Sequence, residues 1–185
     1  KILSKVFTLG DKIKITREVT KEELESLIAD VTEQPIQRPK KNQKPYYSGK
    51  KKDHTVKAEM KTTLKGRIVA VSPTVPGSVH DFTLHKQGEL LPSDTRIFVD
   101  SGYQGLDKLH QATELPYKKP KGGTLTEDEK EYNAALSKIR VKIEHIFGDI
   151  KTFKIMHETF RNSLKTHNRI LKIISGIVNM KNGFI

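Results

Sequence analysis

The sequence contains no cysteine and no long apolar run. Without cysteine, the chain can form neither a disulfide framework nor a zinc site with thiolate ligands. No apolar run approaches the roughly 18 residues of a membrane-spanning helix, and no signal-peptide pattern is present. These absences argue against a membrane or export function. An initial methionine is also lacking, since the chain begins at Lys1, which is consistent with a fragment of a longer protein.

Positive charge dominates the composition. The 34 lysines and arginines outnumber the 22 acidic residues and leave a net charge of +12. A balance this basic is typical of proteins that bind a polyanion, and nucleic acid is the first candidate. The alternative is a basic protein without such a partner. The 185 residues, of which 35% are hydrophobic and 30% charged, suit one globular domain with a sizeable core.

Five segments have the patterns of β-strands. Residues 55–61 alternate between apolar and polar side chains, whereas residues 67–72 are almost continuously apolar, as in a strand buried on both faces. The other three predicted strands are residues 28–32, 95–100 and, with a weaker pattern, 113–117. Lys65 and Gly66 fit a hairpin turn between the second and third strands.

Four segments have helical patterns. Thr20 and Glu23 form a capping-box pattern that predicts a short helix to about residue 27, and Thr126 and Glu129 predict a long helix to about residue 151. A similar pattern at residues 78–81 opens a helix to about residue 86. Residues 162–180 carry an apolar stripe at helical spacing, which fits a core or a subunit interface. The order of elements predicts a mixed sheet with helices packed on it.

Three acidic residues stand in contexts that suit metal-assisted phosphate chemistry. Asp30 and Asp100 interrupt apolar strand patterns, where a carboxylate is costly to bury without a partner. Glu144 lies in the long helix, one turn after Arg140 and two turns before Lys151. The alternative for Asp100 is a cap on the turn that follows its strand. For Glu144 it is an ordinary solvated helix glutamate.

Two carboxylates from strands and one from a helix can hold a pair of Mg²⁺ ions. In two-metal phosphoryl transfer such ligands keep the ions about 3.5–4 Å apart, so that one activates the attacking oxygen and the other stabilises the leaving oxygen. Because Mg²⁺ prefers oxygen ligands and keeps several waters, three protein carboxylates are sufficient. Asp30, Asp100 and Glu144 are therefore candidates to hold two Mg²⁺ ions, for which Mn²⁺ can substitute.

A loop rich in lysine separates the first two predicted strands. It contains Arg38, Lys50 and Lys52 together with two tyrosines, and His54 follows it. Such a loop can hold a phosphate backbone and stack an unpaired base, or it can be a mobile hairpin tip. We expect these residues to contact DNA. Tyr103, just after Asp100, fits either a DNA contact or packing over the metal site.

Four sequence blocks resemble the catalytic domain of DDE-type transposases from bacterial insertion sequences, a group with an RNase H-like fold. The blocks are residues 30–39, 46–57, 100–105 and 133–151. Each is short, but all four occur in order across residues 28–179. In the last block Arg140, Glu144 and Lys151 have the spacing R-x3-E-x6-K. One departure is Ser137, where related transposases often carry tyrosine.

The resemblance implies an RNase H-like mixed five-stranded sheet flanked by helices, spanning residues 28–185. It implies that Asp30, Asp100 and Glu144 are the catalytic metal ligands, and that Arg140 and Lys151 contact DNA near the cut. Residues 1–27 would be a leader, or the end of a missing or truncated DNA-recognition region. His80 and Asp81 resemble a recurring pair of the family, but we read them as a helix cap without a catalytic role.

The implied activity is Mg²⁺-dependent cleavage of DNA at transposon ends, followed by strand transfer into target DNA. The implied partner is DNA, bound by a homodimer during synapsis, with neither a membrane nor a small-molecule substrate. The setting would be the bacterial cytoplasm, in association with the nucleoid. Two alternatives remain: a nuclease of the same fold that cuts without joining, and an inactive remnant that only binds DNA.

Overall fold

A mixed β-sheet forms the centre of the fold in the computed structural model, which describes residues 20–88 and 91–184. The strand β1 (Ser26–Pro35) is antiparallel to β3 (Asp53–Thr63), with Leu27 opposite Thr63 and Pro35 opposite Thr55. On its other side β1 is parallel to β6 (Arg96–Phe98), which is parallel to β7 (Thr113–Glu114). The parallel half of the sheet therefore starts at β1.

Three short strands pair with β3 on the side away from β1. They are β2 (Tyr47–Ser48), β4 (Ile68–Val71) and β5 (Val75–Pro76). Gly66 has φ of +96° in the turn between β3 and β4, a left-handed conformation that glycine adopts without strain. The expected hairpin turn at Lys65 and Gly66 is thus present.

Five helices accompany the sheet. They are α1 (Lys21–Leu24), α2 (Asp81–Gln87), α3 (Glu127–Lys151), α4 (Lys154–His157) and α5 (Leu164–Lys181). Both predicted capping boxes are present: Thr20 and Glu23 start α1, and Thr126 and Glu129 start α3. The first helix is shorter than predicted because residue 26 already belongs to β1.

The sheet is covered on both faces, which we call the α2 side and the α3 side. The alternation of β1 assigns Leu27 and Ala29 to a core on the α2 side and Ile28 to a core beneath α3. On the α3 side the apolar residues of β3 and β4 pack against α3 and α5. The apolar stripe of α5 contributes Leu171 and Ile174 to this core, so its role is internal packing.

The strand order around the longest strands is β4, β3, β1, β6 and β7. The prediction of an RNase H-like mixed sheet flanked by helices is therefore confirmed. The five predicted strands are all present, and β2 and β5 are two-residue additions along β3. The loop between β1 and β3 is more ordered than predicted, since it contains a 3₁₀ turn (Lys44–Tyr46) as well as β2.

Most of the predicted N-terminal leader, residues 1–19, lies outside the described residues. Within them, Leu24 of α1 packs into the core on the α2 side, and Glu23 forms an ion pair with Arg67. The proposed boundary at residue 27 stays a prediction. No helix in the described ranges is long and apolar enough to cross a membrane.

A buried polar network ties α5 to the end of β1. His167 is 2% exposed, and its Nε2 lies 2.9 Å from Oε1 of Gln34 while its Nδ1 lies 2.9 Å from Oγ1 of Thr74. Gln34 in turn donates to the carbonyls of Ile155 and Glu158. Since Oε1 can only accept, Nε2 carries the hydrogen and Nδ1 accepts one. The neutral ring is therefore fully satisfied.

This network makes the stability of the fold depend on pH. Burial lowers the pKa of His167 from 6.5 to about 4, so the unfolded chain takes up a proton at a higher pH than the folded chain. Stability is then lost as pH falls from about 6.5 to 4, by up to about 3 kcal/mol. We expect His167→Gln to flatten this part of the profile, measured by urea unfolding at pH 7.0, 5.5 and 4.5. An unchanged slope between wild type and variant would contradict the assignment.

Candidate active site

Asp30 and Asp100 lie side by side at the edge of the parallel strands. The register pairs Leu27 with Ile97 and Ile28 with Phe98. If this register is continued by two residues, Asp30 comes level with Asp100, on strands about 4.8 Å apart. Consistent with this, the charge of Asp100 is among the causes that raise the pKa of Asp30. The structure thus brings together two of the three predicted acids.

The environment of Asp30 disfavours the ionised form of its carboxyl group. Burial raises the pKa of Asp30 and Asp100 raises it further, while the backbone N–H of Val31 and the guanidinium of Arg140 lower it. The Val31 N–H donates to Oδ1 at 2.7 Å, and Nη2 of Arg140 donates to Oδ2 at 3.1 Å. The pKa nevertheless remains above its usual value. The setting would therefore favour a further cation beside the carboxylate.

Asp100 has the capping role that the sequence left open for it, and its role as a metal ligand stays a prediction. Its Oδ1 accepts a hydrogen bond of 2.7 Å from the N–H of Gly102 and caps the 3₁₀ turn Ser101–Tyr103. At the same time its carboxylate lies beside Asp30. Capping an adjacent turn fixes the side chain at the end of its strand, so the turn orients the acid.

Glu144 is the predicted acid that the structure leaves apart. Its side chain is exposed, and it forms no hydrogen bond or ion pair with residues 20–88 or 91–184. Within these ranges no three Asp, Glu or His side chains converge closely enough to hold a metal ion. Glu144 is nevertheless one helical turn from Arg140, which contacts Asp30. Its role as a third ligand stays a prediction.

A second polar group lies on the α2 side of the site. Lys57 and Glu59 alternate along β3, and they pair with Asp81 and His85 of α2 at 3.1 and 2.6 Å. Burial alone would raise the pKa of Glu59, but Lys61 and His85 outweigh it and hold the pKa at about 2. The polar face of β3, recognised from its alternation, is therefore buried against α2 rather than solvated.

The sequence analysis missed the role of Asp81. His80 is the residue before α2 but makes no capping hydrogen bond with its side chain, whereas Asp81 reaches Lys57 on β3. The reading of this pair as a helix cap is therefore wrong for the side chains. The spacing of these residues was a usable signal for their pairing. Asp81 and His85 are four residues apart and share one face of a helix. Lys57 and Glu59 are two residues apart and share one face of a strand, where they offer groups complementary to those of the helix.

Tyr103 is not available to DNA in this structure. Its side chain is fully buried in the core on the α2 side, with its ring edge-on to His85 at 5.7 Å. Burial raises the pKa of its hydroxyl well above the usual range, as do the charges of Glu59, Asp30 and Asp81. The predicted DNA contact is thus corrected to the alternative, a residue packed beneath the site.

The basic loop is exposed, in accordance with the expectation of a DNA-binding segment. Lys50 and Lys52 are both exposed, and Lys52 adopts a left-handed backbone with φ of +53° at the tip of the hairpin between β2 and β3. Arg38 is exposed and donates twice to Gln43. His54 is half-buried and packs edge-on against Tyr47 at 5.6 Å. Their contacts with DNA stay predictions.

Arg140, Glu144 and Lys151 share one face of α3. At 100° per residue their directions fall within about 40° of each other, and about 16 Å separate the first from the last. Lys151 is exposed and borders a cleft of about 260 Å³, which is also lined by Lys51 and His157 as well as the acidic Glu33 and Asp53. The cleft connects this face of α3 to the basic loop.

The residues at the site fit a hard divalent cation. Carboxylate oxygens are its preferred ligands, and Asp30 and Asp100 supply them side by side. The raised pKa of Asp30 indicates that the positive charge of Arg140 does not fully offset burial. The Nε of Arg140 is itself buried without a hydrogen-bond partner among the described residues. Arg140 therefore has an unused donor next to the carboxylates.

Comparison with known proteins identifies the family of the chain. Residues 29–179 match the family described as DDE superfamily endonuclease. The chain is 36% identical over 179 residues to a protein of Microchaete diplosiphon called probable transposase for insertion sequence element IS702. This match covers 96% of the chain but 64% of the relative, so the chain spans less than two thirds of that protein's length. No solved structure matches significantly. Since the family match covers most of the chain and includes Asp30, Asp100 and Glu144, the protein belongs to the DDE superfamily of endonucleases.

Proposed function

We propose that the chain is the catalytic domain of a transposase that cuts DNA phosphodiesters at the ends of an insertion sequence and joins the freed 3′ ends to target DNA. The observation that carries the proposal is that Asp30 of β1 has two charged neighbours: Asp100, which follows the end of β6, and the guanidinium of Arg140 from α3. The DDE family membership and the similarity to the IS702 protein support the same chemistry.

Asp30, Asp100 and Glu144 are the proposed ligands of two Mg²⁺ ions. When bound, the ions would activate the attacking oxygen and stabilise the leaving oxygen of an in-line displacement. The protein contributes a rigid frame: β1 holds Asp30, the capped turn after β6 holds Asp100, and α3 carries Glu144 one turn after Arg140, which contacts Asp30. Glu144 is exposed and unpaired within the described residues, so its side chain can turn towards the acids without breaking a contact.

Arg140 has two proposed roles. It neutralises part of the charge of Asp30, from which its Nη2 lies 3.1 Å. Its unpaired Nε is a second donor, and a phosphate oxygen is a suitable acceptor once the side chain shifts from its buried position. We infer that Arg140 binds the DNA phosphate next to the scissile bond and lowers the cost of bringing a polyanion to an acidic site.

Basic residues beyond the site would hold the DNA backbone. Lys151 lies on the face of α3 shared with Arg140, and the cleft beside it leads to Lys51 of the exposed loop. Lys50, Lys52, Arg38 and His54 extend this surface. Lysine and arginine contacts to phosphates supply affinity without sequence readout. Recognition of the transposon ends would then depend on other parts of the protein.

Transposition requires two ends to be held together, so we propose a dimer during synapsis, by analogy with the family. The work would take place on bacterial DNA, in the cytoplasm at the nucleoid. A family member that cuts without joining, or one that only binds DNA, would share this fold.

DNA cleavage by the chain should require a divalent metal ion and Asp100. With Mg²⁺ or Mn²⁺, the wild-type chain should nick supercoiled plasmid DNA, and EDTA should stop it. Asp100→Asn removes one negative ligand and should lower the rate at least about 100-fold. Gel separation of supercoiled and nicked DNA gives the rates, and labelled oligonucleotide ends joined to plasmid report strand transfer.

Asp107→Asn is the matched control, since it removes an exposed carboxylate seven residues away in the 3₁₀ turn Leu106–Lys108. It should nick at the wild-type rate. Absence of metal-dependent nicking by the wild type would refute the catalytic proposal. Nicking without joined products would indicate a nuclease rather than a transposase.

The stability of the metal-free protein should depend on the charge of Asp30. Because the folded pKa of Asp30 lies above its unfolded value, its contribution to stability is lost as pH rises through the folded pKa. At pH 7 in EDTA, Asp30→Asn should therefore raise the Tm, by about 2–4 °C. Added Mg²⁺ should raise the Tm of the wild type but not of the variant, as expected for a ligand that binds only the folded wild type.

Differential scanning fluorimetry in EDTA and with Mg²⁺ measures both effects. A lower Tm for Asp30→Asn in EDTA would mean that the ion pair with Arg140 outweighs the cost of burying the carboxylate.

A further inference from the structure

An ion pair and a histidine–carboxylate hydrogen bond fasten α2 to β3 next to the site. Asp81 and His85 are one turn apart on α2, and they meet Lys57 and Glu59, which are two residues apart on β3. Nζ of Lys57 lies 3.1 Å from Oδ1 of Asp81 and also donates to the carbonyl of Val79 at 3.3 Å. The side chains of Lys57 and Asp81 are 12% and 22% exposed. Asp81 is thus held in one position.

The other oxygen of Asp81 faces Asp100. A Cβ built on Gly102 would lie 2.9 Å from Oδ2 of Asp81 and 2.9 Å from Oδ1 of Asp100. The two oxygens are therefore at most twice that distance, about 5.8 Å, apart. Real Cβ atoms essentially never approach oxygen under 3.0 Å, so any side chain at position 102 would push the carboxylates away. The absence of a side chain at Gly102 allows them to face each other.

Oδ2 of Asp81 accepts no hydrogen bond from residues 20–88 or 91–184, although Oδ1 is engaged by Lys57. Docking of α2 onto β3 uses Oδ1 and the Glu59–His85 pair. It leaves unexplained why a second carboxylate oxygen is held towards Asp100, where two like charges repel.

A buried hydroxyl gives independent support for a ligand at this place. The hydroxyl of Tyr103 is fully buried and makes no well-formed hydrogen bond in the described ranges, although Glu59 lies near enough to act on it. The charges of Glu59, Asp30 and Asp81 all raise the pKa of this hydroxyl, and the Tyr103 ring lies edge-on to that of His85 at 5.7 Å. Buried polar groups are almost always satisfied by protein or by bound water. A hydrated ligand between the acids would supply the missing partner.

We propose that Asp81 is a further cation-binding carboxylate of the site, facing Asp100 across Gly102 and held there by Lys57. It binds the hydrated divalent ion on the α2 side, opposite the side occupied by Arg140 and α3. The inference rests on the proposed function, because it assumes that Asp30 and Asp100 bind divalent cations. It adds a fourth acid and a lysine that moderates its charge.

Asp81 and Lys57 carry opposite charges, so their removal should change cation affinity in opposite directions. Loss of the Asp81 carboxylate removes a ligand charge and weakens cation binding, since affinity follows the number of charged ligands. Loss of the Lys57 ammonium removes a positive charge beside that carboxylate and strengthens cation binding. A purely structural ion pair has no such opposite effects, because either loss loosens α2 in the same way.

The experiment measures Mn²⁺ binding by the full 185-residue chain, from the electron paramagnetic resonance signal of free Mn²⁺. The variants are Asp81→Asn, Lys57→Gln, Asp100→Asn and the control Glu23→Gln. Glu23 forms an ion pair with Arg67 at 2.9 Å, with exposures of 23% and 16% that nearly equal those of the Asp81 pair. The control thus loses a comparable ion pair at a different end of the sheet. Thermal unfolding shows that each variant is folded.

We expect Asp81→Asn to weaken Mn²⁺ binding roughly fivefold or more, and Lys57→Gln to tighten it roughly two- to fivefold. Glu23→Gln should keep the wild-type affinity. If Asp100→Asn weakens binding but Asp81→Asn and Lys57→Gln do not shift it in opposite directions, the role of Asp81 is overturned while the proposed function stands. If the wild type binds no Mn²⁺, or Asp100→Asn has no effect, the cation site itself is refuted. Should Asp81→Asn fail to fold, the tightening by Lys57→Gln decides alone.

Discussion

The like charges of Asp30 and Asp100 repel each other where β1 and β6 run in parallel, and the surrounding structure offsets that repulsion. Arg140 reaches Asp30 from α3, and backbone N–H groups reach both carboxylates. The compensation is incomplete, since the pKa of Asp30 stays raised. A protein that keeps such an arrangement gives up stability at this point, which is common where a site must bind a cation or a charged transition state. The ion pair of Arg140 also joins the long helix to the central strand.

On the α2 side, too, neighbouring groups offset the cost of burying a charged carboxylate. Glu59 is almost fully buried and yet ionised, because Lys61 and His85 contact it directly. Replacing such a network with apolar residues is often neutral or stabilising in other proteins. Its presence directly behind the acids therefore fits a role in setting the local charge rather than in holding the fold. The helix α2 places polar side chains against the sheet, whereas α3 and α5 provide most of its apolar packing.

Much of this could be predicted from the sequence, because the decisive signals are local. Capping boxes at Thr20 and Thr126 placed two helix starts to the residue, and apolar runs placed the strands. The pairing of strands is not local, so the approach of Asp30 to Asp100 followed from the family resemblance and not from periodicity. The error at Tyr103 has a similar cause: a tyrosine soon after an acid at a strand end looks exposed until α2 is seen to cover it. Asp81 was missed because its partner Lys57 is 24 residues away in the chain.

Asp30 sits in the middle of the longest uninterrupted pairing in the sheet, the nine residue pairs between β1 and β3. A main chain held in this way cannot follow a ligand, as a loop can. Under the proposed function, the scissile phosphate would have to be brought to Asp30, and the DNA duplex would have to deform to bring it there. The energy for bending or unpairing the DNA would come from contacts made elsewhere, above all by the lysines of the exposed loop. Under the proposed function, the sheet keeps its conformation on binding and the nucleic acid is the component that deforms.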